Sequence, residues 1–90
     1  MTRDILTLRN GENIVVEFLS QDRYRVMGNN ADIRWQGPIR DGIIRSVGFP
    51  EGPRFTCGQE SNFRGENRKV SSIKLESLTE NTSSFILNFD

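Results

Sequence analysis

Ninety residues read as one domain over residues 1–90, near the lower end of the size at which a single hydrophobic core suffices. The chain is 34% hydrophobic and 27% charged, the balance of a folded protein and not of a disordered one. Twelve basic residues cancel twelve acidic ones. No overall field therefore draws the chain to nucleic acid or an anionic membrane, and any such binding must come from local clustering.

Turn signals divide the chain into short apolar or alternating segments. "ILTLR" runs to Asn10-Gly11, whose residues tolerate the positive φ angles of a two-residue type I′ hairpin turn. "NIVVEFL" follows. In the register set by that turn, Ile5 opposes Val16 and Leu6 opposes Val15, so both faces of the first hairpin carry apolar pairs. A polar turn at Ser20 to Asp22 leads to "RYRVM", and Asn29-Asn30 then reads as a turn into "ADIRWQ". That turn would pair Val26 with Ile33 and Tyr24 with Trp35. Arg25 and Arg34 would share the opposite face, with Glu17 close enough to bridge Arg25.

"GPIRDG" supplies a kink and a further hairpin signal before "IIRSV". The loop "GFPEGP" offers Phe49 either as a plug for the end of the barrel or as an exposed anchor. "RFTC" reads as a short strand and residues 58–68 as a long polar loop. "KVSSIKLE" and "SFILNF", joined by a turn in "SLTENTS", close the series. No window sustains a helical repeat. The expected fold is all-β, a small antiparallel meander barrel or sandwich of about eight short strands.

The chemistry of an enzyme is poorly supplied. There is no histidine, the commonest general base and metal ligand. The single cysteine, Cys57, lacks an imidazole to activate it and reads as a small buried hydrophobe. One cysteine without histidine cannot fill a tetrahedral zinc site, and no phosphate-binding or dinucleotide motif occurs. The reading is a non-enzyme with no cofactor and no metal. A lone cysteine, no apolar leader and no bilayer-length run point to a cytoplasmic protein without a membrane partner. The "NTS" at Asn81 matches a glycosylation acceptor only formally.

Charge is uneven along the chain. Residues 20–75 hold ten basic and six acidic residues, whereas residues 76–90 hold three acidic and none basic. Ten of the twelve cations are arginine, whose planar fork suits carboxylate, phosphate and aromatic partners. If successive loops alternate between the ends of a meander, one end gathers Arg23, Arg40, Arg64, Arg68 and Lys69 around Phe63, against Asp22, Asp41, Glu60 and Glu66. The other end gathers Glu12, Glu51, Glu76 and Glu80.

"NFRGENRKVSSIKLE" resembles the βγ-crystallin corner in Phe63 and Gly65, but only six residues separate Gly65 from Ser72, which excludes that family and its calcium. "YRVMGNNADIRW" and "IKLESLTENTSSFILNF" are similar to hairpins of lipocalin-like meander domains, a likeness that implies a barrel and no ligand. "LTLRNGENIVVEFLSQDRYRV" is distantly similar to the Sm pattern, and only as far as Val26.

Two functional expectations follow. The first is a protein-binding module, a regulator, inhibitor or assembly component working through its loops. Its two-faced first hairpin makes Leu6, Leu8, Val15 and Leu19 a candidate surface for homo-oligomer formation. The second is a single-stranded nucleic acid or polyanion binder using Arg40, Phe63, Arg64, Arg68 and Lys69, since cations around an exposed aromatic serve stacking and phosphate contact.

Overall fold

A computed structural model describes residues 2–7, 13–37, 43–50, 52–63 and 66–90, with the backbone alone at 2–7, 13–15, 43 and 63. Ten strands are described: β1 (Thr2–Thr7), β2 (Asn13–Ser20), β3 (Arg23–Asn29), β4 (Arg34–Gln36), β5 (Ile43–Ile44), β6 (Ser46–Gly48), β7 (Arg54–Thr56), β8 (Glu60–Phe63), β9 (Glu66–Leu78) and β10 (Thr82–Phe89). All their pairings are antiparallel, and the all-β class read from the turn signals is the class observed. The radius of gyration, 12.1 Å, is that of one compact domain of this length. Among the described residues no helix is long and apolar enough to cross a membrane.

The large sheet runs β1-β2-β3-β10-β9-β5, with β8 also on β9, and curls into a half-barrel. It consists of two up-and-down runs, β1-β2-β3 and β8-β9-β10, joined where β3 meets β10. β10 occupies the middle because its near-continuous apolar run can be buried on both faces. Phe85 and Leu87 are fully buried in the core, while Ile86 is 7% exposed and lies outside the core cluster, on the reverse side. A small sheet, β4-β6-β7, packs its Trp35–Val47–Phe55 row against the same core. Trp35 from that sheet meets Phe85 with ring centroids 6.1 Å apart, and Val47 and Phe55 complete the core beside Val26, Val70 and Ile73. Phe49 is buried at 3% exposure, the plug and not the anchor.

The expected pairing of β3 with β4 does not occur. Val26 faces Phe85 and Val16, and Tyr24 faces Leu87 and Phe18. Asn29 explains the departure. Its carbonyl accepts the N–H groups of Asp32 and Ile33, its side chain accepts that of Ala31, and the chain turns out of the sheet. Asn30 then ties this turn to the β9–β10 loop, donating its side-chain N–H to the carbonyls of Thr79 (2.9 Å) and Glu80 (3.3 Å). Consequently Arg34 lies in the small sheet and not beside Arg25.

The first hairpin is displaced by one residue from the expected register. Ile5 lies opposite Val15 and Leu6 opposite Ile14, leaving residues 8–12 between the strands. Asn10 and Gly11 fall outside the described residues. When both faces of a strand are apolar, hydrophobic pattern cannot choose between neighbouring registers, so the loop length decides. The expected polar loop over 58–68 is also corrected. It contains a hairpin, with Asn62 opposite Asn67 and Phe63 opposite Glu66.

Three register shifts bend the large sheet. Leu19 is the extra residue between the Phe18–Tyr24 and Ser20–Arg23 pairs, Glu76 between Ser84–Ser77 and Phe85–Leu75, and Ser71 between Asn88–Ser72 and Phe89–Val70. Bulges raise local twist and bend the strand that carries them. Two on β9 account for the curl of that side of the half-barrel.

Candidate functional site

The residues expected to gather at one end are only partly brought together. Arg40 and Arg64 lie outside the described residues, and Phe63 is placed by backbone alone as the last residue of β8. Arg68 and Lys69 are neighbours on β9, and neighbours on a strand point to opposite faces. Lys69, opposite Glu60, is exposed. Arg68 turns toward the β2–β3 turn, as loop alternation anticipates, and there both its terminal nitrogens are engaged.

Arg68 acts as a clasp. Its Nη1 donates to the carbonyl of Gln21, and its Nη2 donates to Asp22 Oδ1 at 2.6 Å and to the carbonyl of Asp90 at 3.1 Å. The guanidinium carbon stands 5.5 Å from the centre of the Phe89 ring. Phe89 makes an edge contact with Tyr24 at 5.3 Å, which makes one with Phe18 at 4.2 Å. The cation thus caps a row of aromatic rings, a favourable arrangement for a positive charge. Backbone bonds from Phe89 to Asp22 and from Asp90 to Lys69 reinforce the same junction. The clasp joins three chain segments and leaves Arg68 little capacity for an outside phosphate.

On the reverse face of the large sheet, the expected Glu17–Arg25 bridge forms at 3.1 Å across β2 and β3. The stronger partner is Glu76. Arg25 Nε and Nη2 donate to its two carboxylate oxygens at 2.7 Å each, a bidentate fork. Glu76 therefore lies on the sheet face with Arg25 and not at the acidic end. No sequence signal marks it as a bulge residue. Ser84, itself buried, donates Oγ to Glu76 at 2.9 Å. The Glu76 carboxyl is held below its ordinary 4.5, first by the Arg25 hydrogen bond, against desolvation and with help from Ser84. Arg25 is raised in turn, chiefly by its hydrogen bond to Glu76.

This network roofs Ile86, whose register neighbours are Arg25 and Lys74. Long polar side chains cover apolar surface with their stems and keep their charged ends in water. Over this part of the sheet the second face is covered by the chain's own side chains. Of the candidate interface residues, Leu19 is half-buried at its bulge, Leu6 and Val15 are placed by backbone, and Leu8 lies outside the described residues.

Cys57 is free and half-buried; its Sγ lies 3.3 Å from the Ile44 carbonyl and packs against the core. Among the described residues no three Cys, Asp or Glu side chains are grouped to hold a metal ion. β1 stands at the end of the strand order, paired on one edge with β2, and among the described residues nothing pairs its other edge. No protein-family model, curated protein or solved structure matches this chain.

Proposed function

We propose that the chain is a non-enzymatic protein-binding module that associates through its N-terminal hairpin. The observation that carries this reading is the outer edge of β1, a run of six residues at the end of the large sheet that nothing pairs among the described residues. A strand edge offers alternating N–H and C=O groups that match only another extended backbone. The absence of histidine from the sequence weighs against a catalytic alternative. Sedimentation across a concentration series tests the proposal. Association that rises with concentration and is weakened by Leu6→Ala and Val15→Ala, with thermal stability retained, is the expected result. A chain that stays monomeric throughout sinks the self-association, and variants that merely unfold would make the hairpin core.

The other reading, a single-stranded nucleic acid or polyanion binder centred on Phe63, Arg64, Arg68, Lys69 and Arg40, is weaker because the Arg68 fork is occupied within the fold. Oligonucleotide affinity that strengthens steeply as salt falls would favour it.

A further inference from the structure

The small sheet carries a second surface of distinct chemistry. Across its strands Arg34 pairs with Gly48 and Gly48 with Arg54, while the adjoining row Trp35–Val47–Phe55 faces the core. Alternation therefore turns Arg34 and Arg54 outward on one face, and both are exposed. The next row on that side is Gln36, Ser46 and Thr56, of which Ser46 is buried, and no carboxylate belongs to any strand of this sheet. Adjacent strands lie about 4.8 Å apart, which sets the two arginines about 10 Å apart at the backbone. The glycine between them lets Arg54 close in: a Cβ built on Gly48 would stand 2.9 Å from Arg54 Cα and Cβ.

Arg34 is held in a particular way. Its Nη1 donates to the carbonyls of Ala31 (3.0 Å), Ile33 (3.1 Å) and Asn30 (3.4 Å). Among the described residues Nε and Nη2 make no hydrogen bond or ion pair, and Arg54 has no partner either. Nε and Nη2 form the edge by which Arg25 grips both oxygens of Glu76. At Arg34 that edge is oriented from behind and left open, so much of the ordering cost of a bidentate contact is met before a partner arrives.

We infer that the outer face of β4-β6-β7 docks an acidic segment of a partner protein. One carboxylate sits on the Nε/Nη2 edge of Arg34 and a second on Arg54. The inference rests on the protein-binding reading and adds the chemistry of the surface that is met. Charge complementarity selects the occupant: a face with two exposed arginines, on a sheet whose strands carry no acid, attracts carboxylates at long range and rejects basic surfaces. It lacks an exposed aromatic between the cations, the feature that would favour a single-stranded nucleic acid.

The test is a titration of the intact chain with poly-L-glutamate and, separately, with oligothymidine at low salt, alongside sedimentation of the same samples. Arg34→Gln with Arg54→Gln is expected to weaken poly-glutamate binding about tenfold, equivalent to about 1.4 kcal/mol. Arg34→Lys, which keeps the charge and loses the fork, is expected to recover only part of it. Arg54→Gln removes no contact among the described residues and should leave thermal unfolding unchanged, whereas Arg34→Gln gives up the bonds to Asn30, Ala31 and Ile33, so binding is compared well below the unfolding midpoint of each variant. Poly-glutamate that does not bind, or binds the double variant equally well, overturns the inference. If self-association persists in that case, the protein-binding reading survives it. If oligothymidine binds at this face and the chain stays monomeric, both fall.

Discussion

Replacing Arg68 with alanine separates an internal clasp from a recognition residue. The side chain is 19% exposed, so its contacts are partly shielded from solvent. Alanine removes the hydrogen bonds to the carbonyls of Gln21 and Asp90, the ion pair to Asp22 and the cation over the Phe89 ring. Hydrogen bonds to a charged group contribute about 1.5–3 kcal/mol when well shielded and less when wet, and a cation–π contact about 0.5–1 kcal/mol at an exposed site. The Asp22 side chain is 63% exposed, which places that pair among those worth at most about 1 kcal/mol. A total loss of about 2 kcal/mol follows for Arg68→Ala. At about 4–8 °C per kcal/mol for a domain of this size, the midpoint of thermal unfolding should fall by about 8–16 °C. Asp22→Asn alone should cost under about 1 kcal/mol, because the two carbonyl contacts and the ring remain. Calorimetry of the two variants and their combination reads the coupling directly. An Arg68→Ala chain with unchanged stability would refute the clasp and return Arg68 to the candidate binding residues.

Two further perturbations test other parts of the fold. Gly28 has no positive φ, so alanine there should be neutral or slightly stabilising on backbone grounds. Its Cβ, however, would stand 2.8 Å from the buried Phe49 ring. Gly28→Ala should therefore cost about 1–3 kcal/mol by overpacking, and most of that cost should vanish in a Phe49→Leu background, as a double-mutant cycle of denaturant midpoints would read. The Glu76 carboxyl is depressed in the folded state, so its contribution to stability is fully present above about 4.5, its ordinary value, and is lost as pH falls through the lower folded value. Arg25→Met should flatten that acid limb in a stability–pH series and leave the limb above neutrality unchanged.

Local features of the fold were legible and non-local ones were not. The polar turn at Ser20 to Asp22, the Glu17–Arg25 bridge between the strands it joins and the β9–β10 hairpin all depend on residues close in sequence. The β3–β10 pairing depends on segments more than fifty residues apart. Two equally good strand patterns compete for the edge of β3, and Asn29-Asn30 carries the same letters whether it makes a hairpin turn or an exit from the sheet. What distinguishes the cases is the company of Asn30, whose side chain is satisfied only when the Thr79–Asn81 loop comes beside it. The bulge at Glu76 was hidden for a related reason. Two serines and a glutamate give no period from which an extra residue can be counted, and the bulge exists because β10 holds Phe85 against Leu75 on one side of it and Ser84 against Ser77 on the other.

Arginine illustrates why the candidate site could be read only coarsely. An excess of cations over residues 20–75 is a statement about sums, whereas recognition depends on which edge of each guanidinium is already spent. Arg25 has its Nε/Nη2 edge closed by Glu76 and Nη1 on Glu17. Arg68 has both terminal nitrogens closed by two carbonyls and Asp22. Arg34 has Nη1 fixed on three carbonyls and, among the described residues, its bidentate edge open. Each carries the same unit charge, so composition ranks them equally, and Arg68, one of the five candidate binding residues, is committed to the fold. The cost of immobilising a long side chain, about 0.5–1.5 kcal/mol on association, is already largely met at Arg34 by backbone acceptors that need no partner. A surface held ready in this way should show a dependence on fork geometry that a mobile cation does not, and that is why Arg34→Lys, at constant charge, discriminates more sharply than removal of the charge.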